Sequence, residues 1–361
     1  MLYALTAYIV MEKTNETYYR QSNIELLRIV AMFLIVMLHT NYFTIGCVSS
    51  NDIFLSPITS FVRILCEQLC IVGVNVFILI SGYFGIKPSI SKIGNIMFQV
   101  LFWGVIVTFF GVLIGAPIEW KQIAKVLWGG GWYWFIPAYV GLYCFAPVLN
   151  SFIENTDKKG FSIIVTVFFF LEFMYGWLGA MGSYLNGYSF VSFIGLYLLG
   201  RYIKLYPVRI IASCNKYYFL LLYLLFSLIP SIFSFITIGH WNKDFNTIAY
   251  SSPFVVGASV FLLLFFTEVK IRSRVINWIA ASVLSIYLLH LHPVIMPMFR
   301  KAFLSLYNEM PVLYYFLLAS ILIVVGGLIV VLIDKIRIYI WDLLVRHFHL
   351  GNGMKEVLVS K

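Results

Sequence analysis

The chain has 361 residues, 61% of them apolar and 11% charged, with a formal net charge of +10. A soluble domain carries roughly 25% charged residues, so a charge set this sparse cannot cover a water-exposed surface. A mean hydropathy of +0.93 puts most of the surface against lipid and predicts an all-α, polytopic transmembrane helical bundle.

In chain order, residues 1–21 form an N-terminal segment expected in the cytoplasm. Met1–Met11 is apolar but too short to span, and without a basic flank or a small-residue cleavage site it is no signal peptide; Met11 is an alternative start. Apolar runs then predict about ten helices, over 24–46, 67–86, 93–115, 133–150, 161–178, 188–205, 217–238, 248–267, 276–298 and 312–334, each near the ~20 residues that cross a bilayer. Residues 22–335 make up the membrane domain, and 336–361 a short basic tail suited to anionic lipid. With the N-terminus inside, 19 of the 25 Lys and Arg fall on inner segments. The outer ones are Arg63, Lys121, Lys125, Lys243, Arg300 and Lys301. The positive-inside rule therefore predicts both termini in the cytoplasm and an even number of spans. The net charge follows from this bias and does not call for nucleic acid. Cys47, Cys66, Cys70, Cys144 and Cys214 show no metal-ligand clustering, and no metal is expected; Cys66 and Cys70 share a helical face as packing residues.

The first helix carries the most information. Ser22 with Glu25 fits a capping box at its start. Arg28 and His39 are eleven residues apart, about three turns plus ~20°, so they share a face separated by a rise of ~16 Å. Arg28 then sits at the inner edge and His39 near the middle of a ~30 Å apolar core. An ionisable residue at that depth marks a function or a water-filled cavity by default, against the plainer alternative of a hydrogen bond to a neighbouring helix. His290, about sixteen residues beyond Arg274, lies ~24 Å from the inner face, where it serves either an acceptor or a structural hydrogen bond; Pro293 breaks the helix soon after. His292 is read as interfacial. Trp132, Tyr133 and Trp134 form an aromatic belt at the outer mouth or a stacking surface for a sugar. Glu172 is a buried-acid candidate whose partner the sequence does not name.

An Arg followed by ten residues and then a His in the first helix resembles the acyltransferase 3 family of bacterial membrane acyltransferases. Three further segments are similar to that family in the same order: Gly73-Val-Asn-Val-Phe-Ile-Leu-Ile-Ser-Gly-Tyr83, Trp132-Tyr-Trp-Phe-Ile-Pro137-Ala-Tyr139-Val-Gly-Leu-Tyr143-Cys-Phe-Ala-Pro147, and Ser285-Ile-Tyr287-Leu-Leu-His290-Leu-His-Pro293. The likeness runs from about residue 22 to 335. Asn75 stands where the family often has Asp, and Lys87 and Lys92 where many members have arginines. A lysine binds phosphate as a point charge without the bidentate fork.

The resemblance implies an O-acyltransferase, an O-acetyltransferase by preference. It would move an acyl group from cytoplasmic acyl-CoA, acetyl-CoA by preference, to a hydroxyl of an envelope polysaccharide or lipid-linked glycan at a bacterial inner membrane. His39 would be the essential residue, as general base or transient acyl carrier. A basic inner vestibule of Arg28, Lys87 and Lys92 would hold the donor's phosphates, and His290, Trp134, Tyr139 and Asn75 would face the acceptor. The alternative is a glycan transporter or exporter without acyl chemistry. It explains the helices and outer aromatics equally well but gives no reason for Arg28 and His39 to share a face.

Overall fold

A computed structural model describes residues 21–179, 184–207 and 215–347. The expected N-terminal segment, Arg209, Cys214 and the end of the tail from 348 lie outside the described residues. All regular secondary structure among the described residues is helical. Seven helices among the described residues are long and apolar enough to cross a membrane, or eight if a bent pair counts as one span; this is a multi-pass membrane protein.

Helix α1 (Ser22–Leu38) passes into a π-helical turn at His39–Phe43. A short α2 (Ser50–Leu55) opens on a capping box between Ser49 and Asp52. Helices α3 (Pro57–Cys70) and α4 (Gly73–Phe84) form one 28-residue span interrupted at Ile71 and Val72. Then come α5 (Ile90–Leu113), a short α6 (Trp120–Leu127) and α7 (Phe135–Glu154). Helix α8 (Lys158–Leu171) ends in a π-helical stretch over Glu172–Leu178, followed by α9 (Phe190–Leu205), α10 (Lys216–Trp241) and α11 (Pro253–Thr267). Helices α12 (Arg274–Ala280) and α13 (Val283–His290) turn by 87° into α14 (Ile295–Glu309), and α15 (Val312–His347) closes the bundle.

All ten expected positions overlap helices, but α9 with 16 residues and α11 with 15 fall below the ~20 residues of an ordinary span. The second span begins ten residues before its expected start, because Arg63 and Glu67 dilute the apolar run there while being buried in the fold. Arg63 is thus a helix residue, not a loop residue. Its Nε donates to Asn41 Oδ1 at 3.0 Å, and the Asn41 amide donates to Glu67 Oε1 at 3.1 Å. The last helix overruns the expected end at 334 by more than three turns, carrying Asp334 and Arg337 inward as a buried ion pair at 2.6 Å.

The capping box expected at Ser22 does not form. Gln21 is the cap residue and contributes no side-chain bond. The Ser22 hydroxyl instead receives the Ser273 N–H at 3.0 Å, tying the start of α1 to the start of α12.

Helix α1 lies in the middle of the bundle, packed against α3, α4, α11, α12, α13 and α15. Its apolar residues meet others on nearly every side, as expected of a helix surrounded by protein. The closest approach elsewhere joins α4 to α9. A Cβ on Gly82 would collide with the Tyr197 carbonyl and one on Gly200 with that of Leu79. Only glycine lets backbones approach that closely, a packing favoured between helices in lipid. The π-helical turn at His39 and the break at 71–72 fall at neighbouring levels of this core, and both aim side chains away from a regular helical stripe.

Candidate active site

The end of the bundle that bears the start of α1 is called proximal below, and the opposite end distal. One stripe of α1 serves both. Arg28, Met32 and Ile35, at spacings of four and three, line a proximal cavity of about 240 Å³. Leu38, His39, Tyr42 and Phe43 line a distal cavity of about 260 Å³. The two share no lining residue, and between them stand the consecutive Trp134 and Phe135 of the chain, the first facing the distal space and the second the proximal one.

The proximal cavity has apolar walls from Val74, Phe77, Ile136 and Leu284, with Ser81, Tyr139 and Arg28 as its polar groups and Tyr287 at its end. Tyr139 stacks on Phe135 with ring centroids 5.5 Å apart and an interplanar angle of 13°. Arg28 is about one-third exposed, and its nearest carboxylate, Glu25, is 3.9 Å away. Its Nε is buried and without a hydrogen-bond partner. A guanidinium so loosely held keeps its fork of donors available for an anion. Lys87 and Lys92 are exposed and do not line this cavity. The Lys87 carbonyl accepts from Tyr143 Oη at 3.0 Å, which fixes the backbone there and leaves the ammonium in solvent.

His39 is buried, and its Nδ1 lies 2.8 Å from His290 Nε2. The other nitrogen of His290, Nδ1, lies 2.7 Å from the Ile286 carbonyl oxygen. A carbonyl only accepts, so His290 carries its proton on Nδ1 and its Nε2 offers a lone pair. His39 must then donate through Nδ1–H, which leaves its Nε2 unprotonated. The ring is braced by an edge contact with Phe43, centroids 4.7 Å apart. This is the arrangement of a base oriented by a third group. His290 lies behind His39 and does not line either cavity.

The distal cavity is walled by aromatic rings. Trp134 lies 4.7 Å from Tyr188 and 5.9 Å from Tyr250 between centroids, and those two tyrosines are 4.6 Å apart. Asn186 and Asn246 add amides from two loops. Asn75 lines neither cavity; its amide donates to the Tyr250 carbonyl at 2.9 Å, so it holds that wall from behind. Trp132 lies outside the lining, 41% exposed, and its carbonyl accepts from Tyr287 Oη at 3.3 Å.

Two further expectations resolve here. His292 is not interfacial but fully buried in the bend after α13, where its Nδ1 accepts the Val294 N–H at 3.2 Å. That bond compensates for backbone disrupted around Pro293. Glu172 finds a partner in Ser192, whose hydroxyl donates to Oε1 at 2.6 Å, and it lines neither cavity. Tyr42, Tyr188, Tyr250, Asn186 and Asn246 were not singled out in the sequence. The i, i+4, i+7, i+11 stripe from Arg28 leads on towards Tyr42; nothing local flags the loop residues.

The family model described as an acyltransferase domain, that of the acyltransferase 3 family, matches residues 21–332. The chain belongs to this family. No curated protein and no solved structure matches it.

Proposed function

We propose, with membership of the acyltransferase 3 family as premise, that this membrane acyltransferase is an O-acyltransferase. It takes an acyl group, acetyl by preference, from acyl-CoA on the proximal, cytoplasmic side. It passes the group to a hydroxyl of an envelope polysaccharide or lipid-linked glycan entering the distal cavity. The basic residues concentrated on inner segments support this orientation in a bacterial inner membrane. The observation that carries the reading is the relay from the Ile286 carbonyl through His290 to His39, which leaves a lone pair on His39 Nε2 at the wall of a cavity.

In the direct mechanism the thioester passes Phe135 and Trp134 to reach His39, where the acceptor hydroxyl gives its proton to Nε2 as its oxygen attacks the thioester carbonyl. The carbon–sulfur bond then breaks, and the departing thiolate recovers the proton. As His39 becomes charged, its bond to His290 becomes charge-assisted and strengthens in the transition state, where catalysis needs it. In the alternative, His39 Nε2 attacks the thioester carbonyl and the carbon–sulfur bond breaks to release the thiolate; the acceptor hydroxyl then displaces the acyl group from Nε2, and its proton neutralises the thiolate. Both use the same nitrogen. Arg28 suits the phosphates of the donor at the proximal mouth, and the apolar walls beyond it suit the donor's uncharged arm. Lys87 and Lys92 act only as long-range positive charge on that side. Tyr139 lines the donor cavity, while Trp134 offers a ring to the acceptor and Asn75 supports the wall beside it.

Purified protein in liposomes, given labelled acyl-CoA and glycan acceptors, tests the reading. Transfer abolished by His39→Ala and weakened in donor affinity by Arg28→Ala is the expected result. Acyl-independent glycan flux, with wild type and His39→Ala indistinguishable in transfer, refutes it in favour of an exporter.

A further inference from the structure

Among the described residues, no Lys, Arg, Asp or Glu lines the distal cavity. Its polar groups are neutral: the phenols of Tyr42, Tyr188 and Tyr250, the amides of Asn186 and Asn246, and the His39 imidazole. Behind Tyr42 and Ile248, which it shares with the cavity, a small cleft is lined by Glu67 and Asp244. Charges of both signs stand outside the lining: Glu67 and Asp244 in that cleft, and Arg63, whose Nε and Nη2 donate to Asn41 and the Gly46 carbonyl.

The two asparagines are set in place by their backbones. Asn186 has φ 54° and Asn246 φ 50°, a left-handed conformation that Asn tolerates better than most side chains. The Asn186 carbonyl accepts the Ser251 N–H at 3.3 Å, the Asn246 N–H donates to Asp244 Oδ1 at 2.9 Å, and the Asn246 carbonyl accepts from Trp177 Nε1 at 3.1 Å. Asn186 Oδ1 is sealed from solvent with no hydrogen-bond partner. A buried unpaired acceptor costs about 1–3 kcal/mol, a cost relieved when the Asn186 side chain turns its oxygen toward a donor arriving in the cavity.

We infer that the distal cavity selects an electrically neutral sugar, read by Asn186 through a hydroxyl and held against Trp134 and Tyr188, and that it excludes uronic acids and other anionic sugars. This rests on the reading of the distal cavity as the acceptor site. A carboxylate entering would lose its hydration with no cation to replace it, beside the Asp244 and Glu67 carboxyl groups.

The test pairs neutral di- and trisaccharides of hexose, 6-deoxyhexose and N-acetylhexosamine with their uronic-acid analogues, on the full chain in liposomes. Equilibrium binding without donor is read separately from acyl transfer with it. Neutral probes are expected to bind at least about tenfold more tightly than their analogues, a difference of ~1.4 kcal/mol. Asn186→Gly, which keeps the left-handed backbone, should weaken neutral binding about tenfold. Asp244→Asn preserves the acceptor for the Asn246 N–H and should narrow the neutral-to-anionic gap about two- to threefold at low salt. Uronic analogues binding as well as neutral sugars, no neutral probe binding, or an unaffected Asn186→Gly each overturns the inference. Neutral binding without transfer leaves the inference standing and overturns the acyltransferase reading; transfer to uronic acids does the reverse.

Discussion

Replacing His290 separates orientation from chemistry, because His290 lies behind His39 and outside both cavities. The 2.8 Å bond from His39 Nδ1 is a buried contact between neutral rings in the resting enzyme, with a net value of ~0.5–1.5 kcal/mol. Once His39 has taken a proton the same bond is charge-assisted and rises to ~1.5–3 kcal/mol. His290→Phe forfeits this at the moment of reaction and lets His39 adopt the other tautomer. The expected loss in kcat follows from the difference of ~1–1.5 kcal/mol between those values, about five- to twelvefold at ~1.4 kcal/mol per decade, with acceptor KM nearly unchanged. His290→Gln brings an amide oxygen close to where Nε2 sits and can still accept from His39 Nδ1–H, so it should recover most of the rate. The assay is acyl transfer from labelled acyl-CoA in liposomes, with both variants checked for equal thermal unfolding in detergent. Wild-type kcat in His290→Phe, or equal losses in the Phe and Gln variants at equal stability, would refute the orienting role.

His39→Ala should lower transfer by about 10²–10⁴-fold, the range for a lost general base, while leaving membrane insertion and unfolding temperature near wild type. Arg28→Ala should raise the apparent KM for acyl-CoA by about 10–100-fold, as expected for a lost charge-assisted bond of ~1.5–3 kcal/mol, with Arg28→Lys intermediate and Lys87→Ala or Lys92→Ala within a few-fold of wild type. Asp334→Ala leaves the Arg337 guanidinium buried without its carboxylate partner and should destabilise the protein by ~3–5 kcal/mol, whereas Asp334→Leu with Arg337→Met should cost much less; thermal unfolding of purified protein decides this. Gly82→Ala forces α4 away from the Tyr197 carbonyl and should reduce the yield of folded protein sharply, while Gly326→Ala, with open space around it, should be harmless.

The bundle was legible because its signals are local. A run of apolar residues between polar breaks defines a helix wherever it packs. The eleven-residue spacing of Arg28 and His39 fixes a shared stripe from helix geometry alone. The capping box at Ser22 failed because a tertiary partner, Ser273, claimed the hydroxyl. The start of the second span was misplaced for a related reason. Arg63 reads as an outer-segment residue and Glu67 as the edge of a helix, and only the fold pairs both with Asn41. The 87° turn after α13 was signalled by Pro293, but the burial of His292 within it was not.

By itself the sequence determined the membrane class, the approximate places of the apolar helices, the family resemblance and the identity of His39 as the residue of interest. The class and helices follow from composition and local apolar runs, the interest of His39 from its spacing to Arg28, and the resemblance from four short segments in the same order. The tertiary structure alone decided that Arg28 and His39 open onto separate cavities, that His290 stands behind His39, and that Asn186 and Asn246 complete the distal wall. His39 and His290 are 251 residues apart, and the two asparagines come from different loops. No periodicity along a chain encodes a contact that exists only when distant helices pack, and the direction of the lone pair on His39 is set by such a contact.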